Sequence, residues 1–269
     1  MVEKETLIRQ LKESHGFFNS VVGFKKIELS NQTKEFTDKE QKFIDETWNS
    51  LLAKGKVKYS TKIIGVEPDT IRATGDTLHL GVYSVDYKSY KAAIEHPTLE
   101  IWVTGPSGIV QLDYYQDRYY LFGERKNSTS LLGGTLETVP GGFLEPKHLV
   151  YRDPFHEAIV QELEEETGIP AHFIKRASLL DFGQLEQDPR TGTKLYHMVI
   201  DYSITVTNVS PEDAQKCFMG NITTREHTKL YVVPHEQLLT YISDNFHRFT
   251  ARTRFTLQNF LQQVDYNNV

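Results

Sequence analysis

Between Asp153 and Ile169 the chain reads Asp-Pro-Phe-His-Glu-Ala-Ile-Val-Gln-Glu-Leu-Glu-Glu-Glu-Thr-Gly-Ile. Asp153 suits a helix N-cap and Pro154 the first helical position. Gly168 suits the left-handed position after the last turn, Ile169 can then touch Leu163, and Pro170 blocks continuation. The spacing therefore predicts a helix over 154–166. Glu162, Glu164, Glu165 and Glu166 crowd its C-terminal end, where the helix dipole disfavours negative charge. Glu162 lies three residues from Glu165 and four from Glu166. These spacings place the three on one face, repelling by about 0.2–0.5 kcal/mol per pair. Their arc of about 100° overlaps one edge of the stripe formed by Phe155, Ile159 and Leu163. Glu164 points elsewhere. One reading is a solvated acidic helix end. The other is a divalent cation, which would relieve the repulsion, the wrong dipole end and the partly inward arc together. Two or three carboxylates are what Mg²⁺ or Mn²⁺ takes, keeping waters that substrate phosphates can replace.

The segment resembles the Nudix box: Gly, five residues, Glu, seven residues, then Arg-Glu-apolar-x-Glu-Glu-x-Gly-apolar. Gln161 to Ile169 match its end, with Gln161 in place of Arg. Pro140-Gly141-Gly142 match its usual start. Gly142 to Asp153 is eleven steps where the box has six, so about five residues, Lys147 to Tyr151, are inserted. Asp153 stands at the spacing of the upstream Glu, and N-capping is its other role. The resemblance covers about 101–240. It implies a Nudix α/β/α sandwich with a mixed sheet and metal-dependent hydrolysis of a nucleoside diphosphate linked to another group. The implied metal ligands are Glu162, Glu165, Glu166 and the Gly141 carbonyl. In place of a charged Arg, Gln161 would orient a glutamate through a weaker neutral hydrogen bond, and restoring Arg is expected to keep or raise activity.

Gln161, the lengthened loop and an N-terminal extension together are similar to the UDP-sugar-hydrolysing Nudix subgroup of animals, as is the stretch Leu80 to Lys88. This implies cleavage of UDP-glucose or UDP-galactose to UMP and sugar 1-phosphate. Hydrolysis of ADP-ribose and a catalytically weak ligand-binding module are the alternatives. The resemblance also points to Arg125 as a phosphate contact, against plain surface charge. It points to Glu226 as a further carboxylate for metal or water, with Glu212 and Asp213 competing. Lys147 and His148 of the insertion either hydrogen-bond the sugar or its phosphate, or are structural. Tyr83, Tyr87 and Tyr90 either stack a base or pack a core, with Tyr87 the substrate-binding candidate. Arg248, Arg252 and Arg254 read as solvated charge.

Several elements must position these groups. Thr37 to Glu40 fit a capping box, followed by Phe43, Ile44, Trp48, Leu51 and Leu52 at helical spacing and a stop at Gly55. Residues 63–66 and 78–83 read as strands and 87–94 as a short amphipathic stretch. A boundary near His96-Pro97 divides an α/β N-terminal extension, 1–97, from a Nudix hydrolase domain with C-terminal helices, 98–269. In the second part, strands are expected at 99–103, 109–112, 119–122, 177–182, 194–207 and 230–233, with a turn at 104–108. Helices are expected at 212–219, carrying Cys217, and at 236–242 and 252–264.

Composition narrows the function classes. The chain has 269 residues, 39% hydrophobic and 25% charged, with a net charge of −6, ordinary values for a folded domain. The balance argues against a phosphate-backbone partner, DNA or RNA. No apolar run approaches the roughly 20 residues of a membrane span, and no secretory leader pattern is present. The single cysteine excludes an intrachain disulfide and a cysteine-built zinc site. The expectation is a cytoplasmic enzyme acting on a small nucleotide with Mg²⁺, or Mn²⁺, and without nucleic-acid or membrane partners.

Overall fold

The computed structural model describes residues 3–22, 24–55, 57, 59–96, 99–126, 133–189, 191–221 and 226–263. The expected boundary at Pro97 lies outside the described residues. In chain order the elements are α1 (Lys4–Ser14), β1 (Phe18–Val22), β2 (Lys26–Asn31), α2 (Asp38–Ala53), β3 (Lys62–Thr74), β4 (Thr77–Asp86), α3 (Tyr87–Glu95), β5 (Val103–Tyr114) and β6 (Asp117–Arg125). There follow β7 (Leu136–Thr138), a 3₁₀ turn (Pro146–Val150), α4 (Pro154–Thr167), β8 (Ile174–Gln187), β9 (Lys194–Thr207), α5 (Pro211–Gly220), β10 (His227–Pro234), α6 (Leu238–Asn245) and α7 (Ala251–Gln263).

The strands form one mixed sheet in the order β1-β8-β9-β5-β3-β4-β2, with β6 branching from β5 and carrying β7 and β10. β5 and β9 run parallel, as do β2 and β4, while β8 and β9 are antiparallel. Neighbouring side chains of a strand face opposite ways, and the core divides accordingly. Val110, Leu112, Leu121, Ile200 and Ile204 pack with Phe155, Ile159 and Leu163 of α4. Ile109, Tyr120 and Phe122 pack on the other face with Leu257, Phe260 and Leu261 of α7. Helices thus cover both faces of the central strands, the α/β/α layering expected of the chain. Both faces of β5 being covered, it is buried from Val103 to Leu112.

The N-terminal elements are not set apart from this sheet. β3 meets β5 at Gly65 and Val103, β1 pairs with β8, and α1 buries Leu7 and Leu11 in the cluster that holds α7. The capping box at Thr37 and Glu40 is present, and Gly55 has a left-handed φ of 65°. Two expectations fail between 99 and 108. Residues 99–102 are not strand, and the supposed turn at 104–108 is the middle of β5. The glycines there permit backbone contact instead of a reversal. A Cβ on Gly105 would lie 1.9 Å from the Gly142 carbonyl oxygen, and one on Gly108 would lie 3.1 Å from Ile204 Cδ1.

Candidate active site

The Val139 to Leu144 segment runs beside β5 in the gap between β6 and β3. Gly108 N donates to Pro140 O at 2.8 Å, Gly142 N to Pro106 O at 3.2 Å and Leu144 N to Thr104 O at 2.9 Å. Ile64 N closes the far side on Leu144 O at 2.8 Å. The two glycines lie between opposite charges. A Cβ on Gly142 would stand 1.8 Å from Glu162 Oε1, and one on Gly141 would stand 2.9 Å from the Arg252 guanidinium.

α4 carries the carboxylates. The Asp153 side chain accepts from His156 N at 3.0 Å, so Asp153 serves as N-cap. Gly168 closes the helix at φ 72°. Glu166 is buried, and its Oε2 has no hydrogen-bond partner among the described residues. Burial, then Glu162, then Glu226 push its carboxyl well above the usual range. Burial likewise raises Glu162, with Glu165 and Glu226 adding to it against Arg252, up to about 7. Glu165 is exposed at the rim and accepts from Gln161 Nε2 at 2.5 Å.

A second cluster faces them. Glu137 on β7 is buried, and its Oε2 lies 2.8 Å from Arg125, 3.6 Å from Arg252 and 3.6 Å from His227. Burial opposes its ionisation, but Arg125 and then Arg252 outweigh it and hold the carboxyl far below the usual range. Arg125 also meets Glu226 at 3.1 Å. Arg252 enters from the first turn of α7, whose start is tied to β7. Thr250 N donates to Leu136 O at 3.4 Å, and Thr138 N to Thr253 Oγ1 at 3.2 Å.

These groups line a cleft of about 640 Å³. Tyr59, Thr61, Ile63, Tyr87, Leu195 and His197 also line it. Tyr87 therefore reaches the cleft, with its ring centroid 5.9 Å from that of Phe143. Tyr90 also borders the cleft, but its ring is already stacked on His197, 5.5 Å between centroids. It is buried and donates to Leu195 O at 2.8 Å beside His197 Nε2 at 2.7 Å. Burial, with Arg252 and Lys91, lowers His197 to about 3. Tyr83 is core, packed on Gly65. Lys147 is absent from the described lining. It is half exposed and pairs with Glu145 at 3.2 Å, and Glu145 is the residue of this loop that reaches the cleft. His148 is buried.

The solvated reading of the C-terminal arginines is corrected. Arg252 is in the cleft, Arg254 is buried over Phe246, and Arg248 pairs with Glu124 at 3.0 Å. Sequence reasoning missed Glu137 and Arg252 as site residues. Glu137 stood only three residues before Pro140, whereas nothing local marks Arg252.

Among the described residues no three His, Cys, Asp or Glu side chains are already drawn together as a cation cage. The donor set nevertheless fits a hard cation. A buried carboxyl, Glu166, and a half-buried one, Glu162, oppose each other's ionisation, and Glu166 Oε2 has no partner among the described residues.

No family model matches the chain, and no curated protein matches it. Among solved structures it is similar to the NUDIX domain of Shewanella oneidensis NrtR complexed with ADP ribose. The identity is 11% over 60% of this chain and 88% of that one, with a TM-score of 0.42. It is similar to a C. elegans Ap4A hydrolase, 17% identical over 59% of this chain and 94% of that one, TM-score 0.37. A mutT/nudix family protein from Listeria innocua is 17% identical over 60% and 92%, TM-score 0.37. No helix among the described residues is long and apolar enough to cross a membrane.

Proposed function

We propose that the chain is a divalent-cation-dependent hydrolase of a nucleoside diphosphate sugar, with UDP-glucose or UDP-galactose as substrate and Mg²⁺ as the cation. The observation that carries this reading is the pair Glu162 and Glu166. They are carboxylates pressed together at the wrong end of a helix dipole, one with an unpartnered oxygen, beside a glycine segment with no side chain to fill the space. Glu162, Glu166 and Glu165 would hold the cation, with the Gly141 carbonyl that the resemblance adds. Bound there, the cation would neutralise charge on diphosphate oxygens and acidify a water.

The chain's own groups supply the rest. Arg252 and Arg125 present guanidinium donors suited to phosphate oxygens. Glu226, whose charge reaches both Glu162 and Glu166, would accept the proton of the attacking water. Tyr59, Thr61, Ile63 and Tyr87, with Leu195 and His197, would contact the groups flanking the diphosphate. Measuring kcat/KM for UDP-glucose, UDP-galactose and ADP-ribose with Mg²⁺ tests the reading. Preference for a UDP-sugar supports it, and a tenfold preference for ADP-ribose, about 1.4 kcal/mol of transition-state binding, replaces the substrate while keeping the class. No phosphate-bond cleavage of any of them refutes the hydrolase.

A further inference from the structure

Two of the departures from the Nudix pattern, the inserted turn and Gln161, meet in space. The insertion folds as the 3₁₀ turn Pro146–Val150, and its His148 is 2% exposed. A ring nitrogen so buried needs a partner. Glu145 N donates to His148 Nδ1 at 3.1 Å. With Nδ1 accepting, the proton is on Nε2, which donates to Gln161 Oε1 at 3.0 Å. That bond fixes which end of the amide faces the ring, so Gln161 Nε2 faces α4 and donates to Glu165 Oε1 at 2.5 Å. Each bond dictates the next. Reversing the amide would put donor against donor at His148, and reversing the tautomer would do the same at Glu145.

The consequence for an arginine at 161 is direct. Its guanidinium offers only donors, so it would meet the Nε2–H of His148 with nothing to accept it. The expectation that Arg at this position preserves activity therefore does not suit this chain. We propose that His148 is a positioning residue which, through Gln161, holds the Glu165 carboxylate at the cleft rim beside Glu162, replacing a charged orienting side chain. In this proposal His148 and Gln161 require each other. The role of Glu165 rests on the cation reading above; the hydrogen-bond chain itself does not.

Two measurements test it. Long-range ¹H–¹⁵N spectra of the metal-free protein should show His148 as the Nε2–H tautomer, with its ring signals displaced in Gln161→Ala. An Nδ1–H tautomer, or no displacement, overturns the proposal whatever the protein catalyses. The second is Mn²⁺ affinity read by electron paramagnetic resonance. His148→Ala and Gln161→Ala should each weaken binding about tenfold, and the double variant no further. A hundredfold loss in the double variant, or none in either single variant, overturns the relay. Gln161→Arg alone should bind Mn²⁺ more weakly than wild type, and adding His148→Ala should restore most of the loss; Gln161→Arg binding as well as wild type contradicts the mutual requirement. Under turnover with UDP-glucose the variants should lose kcat while KM stays. If wild type binds no Mn²⁺, the cation reading fails, and the tautomer with its dependence on Gln161 still decides the chain of bonds.

Discussion

Gly142→Ala separates the site from the fold that carries it. Gly142 has no left-handed φ, so its backbone accepts alanine. The new Cβ would fall 1.8 Å from Glu162 Oε1 and 2.2 Å from its Cδ. Ordinary contact begins near 3.4 Å, so the carboxylate must retreat by at least about 1.6 Å. It is the end of a flexible side chain, and its retreat should cost about 1 kcal/mol at most, the low end for overpacking. At this chain length that lowers Tm by roughly 3 °C. Displacing a group by 1 Å at a reacting centre can cost on the order of 100-fold. The expected result is a fall of about 100-fold in kcat/KM for UDP-glucose with Mg²⁺ and a nearly unchanged Tm. Gly105→Ala is the counterpart. Its Cβ meets the Gly142 carbonyl oxygen at 1.9 Å and Phe143 Cα at 2.9 Å, both backbone. No rotamer relieves that clash, so a loss of about 3 kcal/mol and a Tm lower by roughly 10 °C are expected. Calorimetry and steady-state kinetics on both proteins check the pair. Near wild-type turnover in Gly142→Ala would refute the role given to Glu162, and unchanged stability in Gly105→Ala would refute the packing of the Pro-Gly-Gly segment.

Three further outcomes are expected. Glu166→Gln replaces a buried carboxyl whose ionisation burial and Glu162 oppose with a neutral amide of the same shape, so the metal-free Tm should hold or rise while hydrolysis falls by orders of magnitude; near wild-type turnover with Mg²⁺ would contradict the site. Burial raises Asp201 to about 8, against hydrogen bonds from Thr256 and Asn259, and raises Asp181 to about 7. Their neutral forms are favoured in the fold, so their stabilisation is complete below about pH 4 and is lost as pH rises to about 8. Denaturant titrations from pH 5 to 9 should show stability declining, less steeply in Asp201→Asn; an equal slope would assign the decline elsewhere. Glu137→Gln leaves Arg125 and Arg252 without their shared anion and should cost about 3–5 kcal/mol in chemical unfolding, whereas a change under 1 kcal/mol would mean that the pairing is solvent-screened.

Elements with local causes were legible in the sequence. α4 spans Pro154–Thr167 because its cap, its proline and its left-handed glycine act within a turn of each end, and β9 spans the expected 194–207 because it is one unbroken run rich in β-branched and aromatic residues. The segment 104–108 was misread for the converse reason. Gly-Pro-Ser-Gly is a turn signal locally, but its glycines answer to Gly142, 37 residues further on, and to Ile204 on β9. α1 was missed because its apolar stripe is only Leu7, Ile8 and Leu11, completed by α7 at the other end of the chain. The acidic face of α4 could be read from spacing alone. Arg252 could not, because only the attachment of α7 to β7 brings it to Glu137.

The charges of the cleft explain why those two unread residues matter. Glu137 takes up both guanidiniums, Arg125 most closely, and is held ionised by them. Little positive charge then remains for α4, and Glu162 and Glu166 are pushed upward in spite of Arg252. With Glu226 also nearby, ionising the α4 carboxyls without a cation sets like charges together in a poorly solvated setting, where such repulsion is least screened. Under the proposed function a cation would favour the ionised carboxylates that hold it and offset their charge towards a diphosphate, so cation and diphosphate each make the other's place favourable. Glu137 matters to that balance through the arginines. It pairs with Arg252, which stands at Gly141 while Glu162 stands at Gly142, so under the proposed function a positive edge for phosphate oxygens and a negative edge for the cation would flank residues 141 and 142.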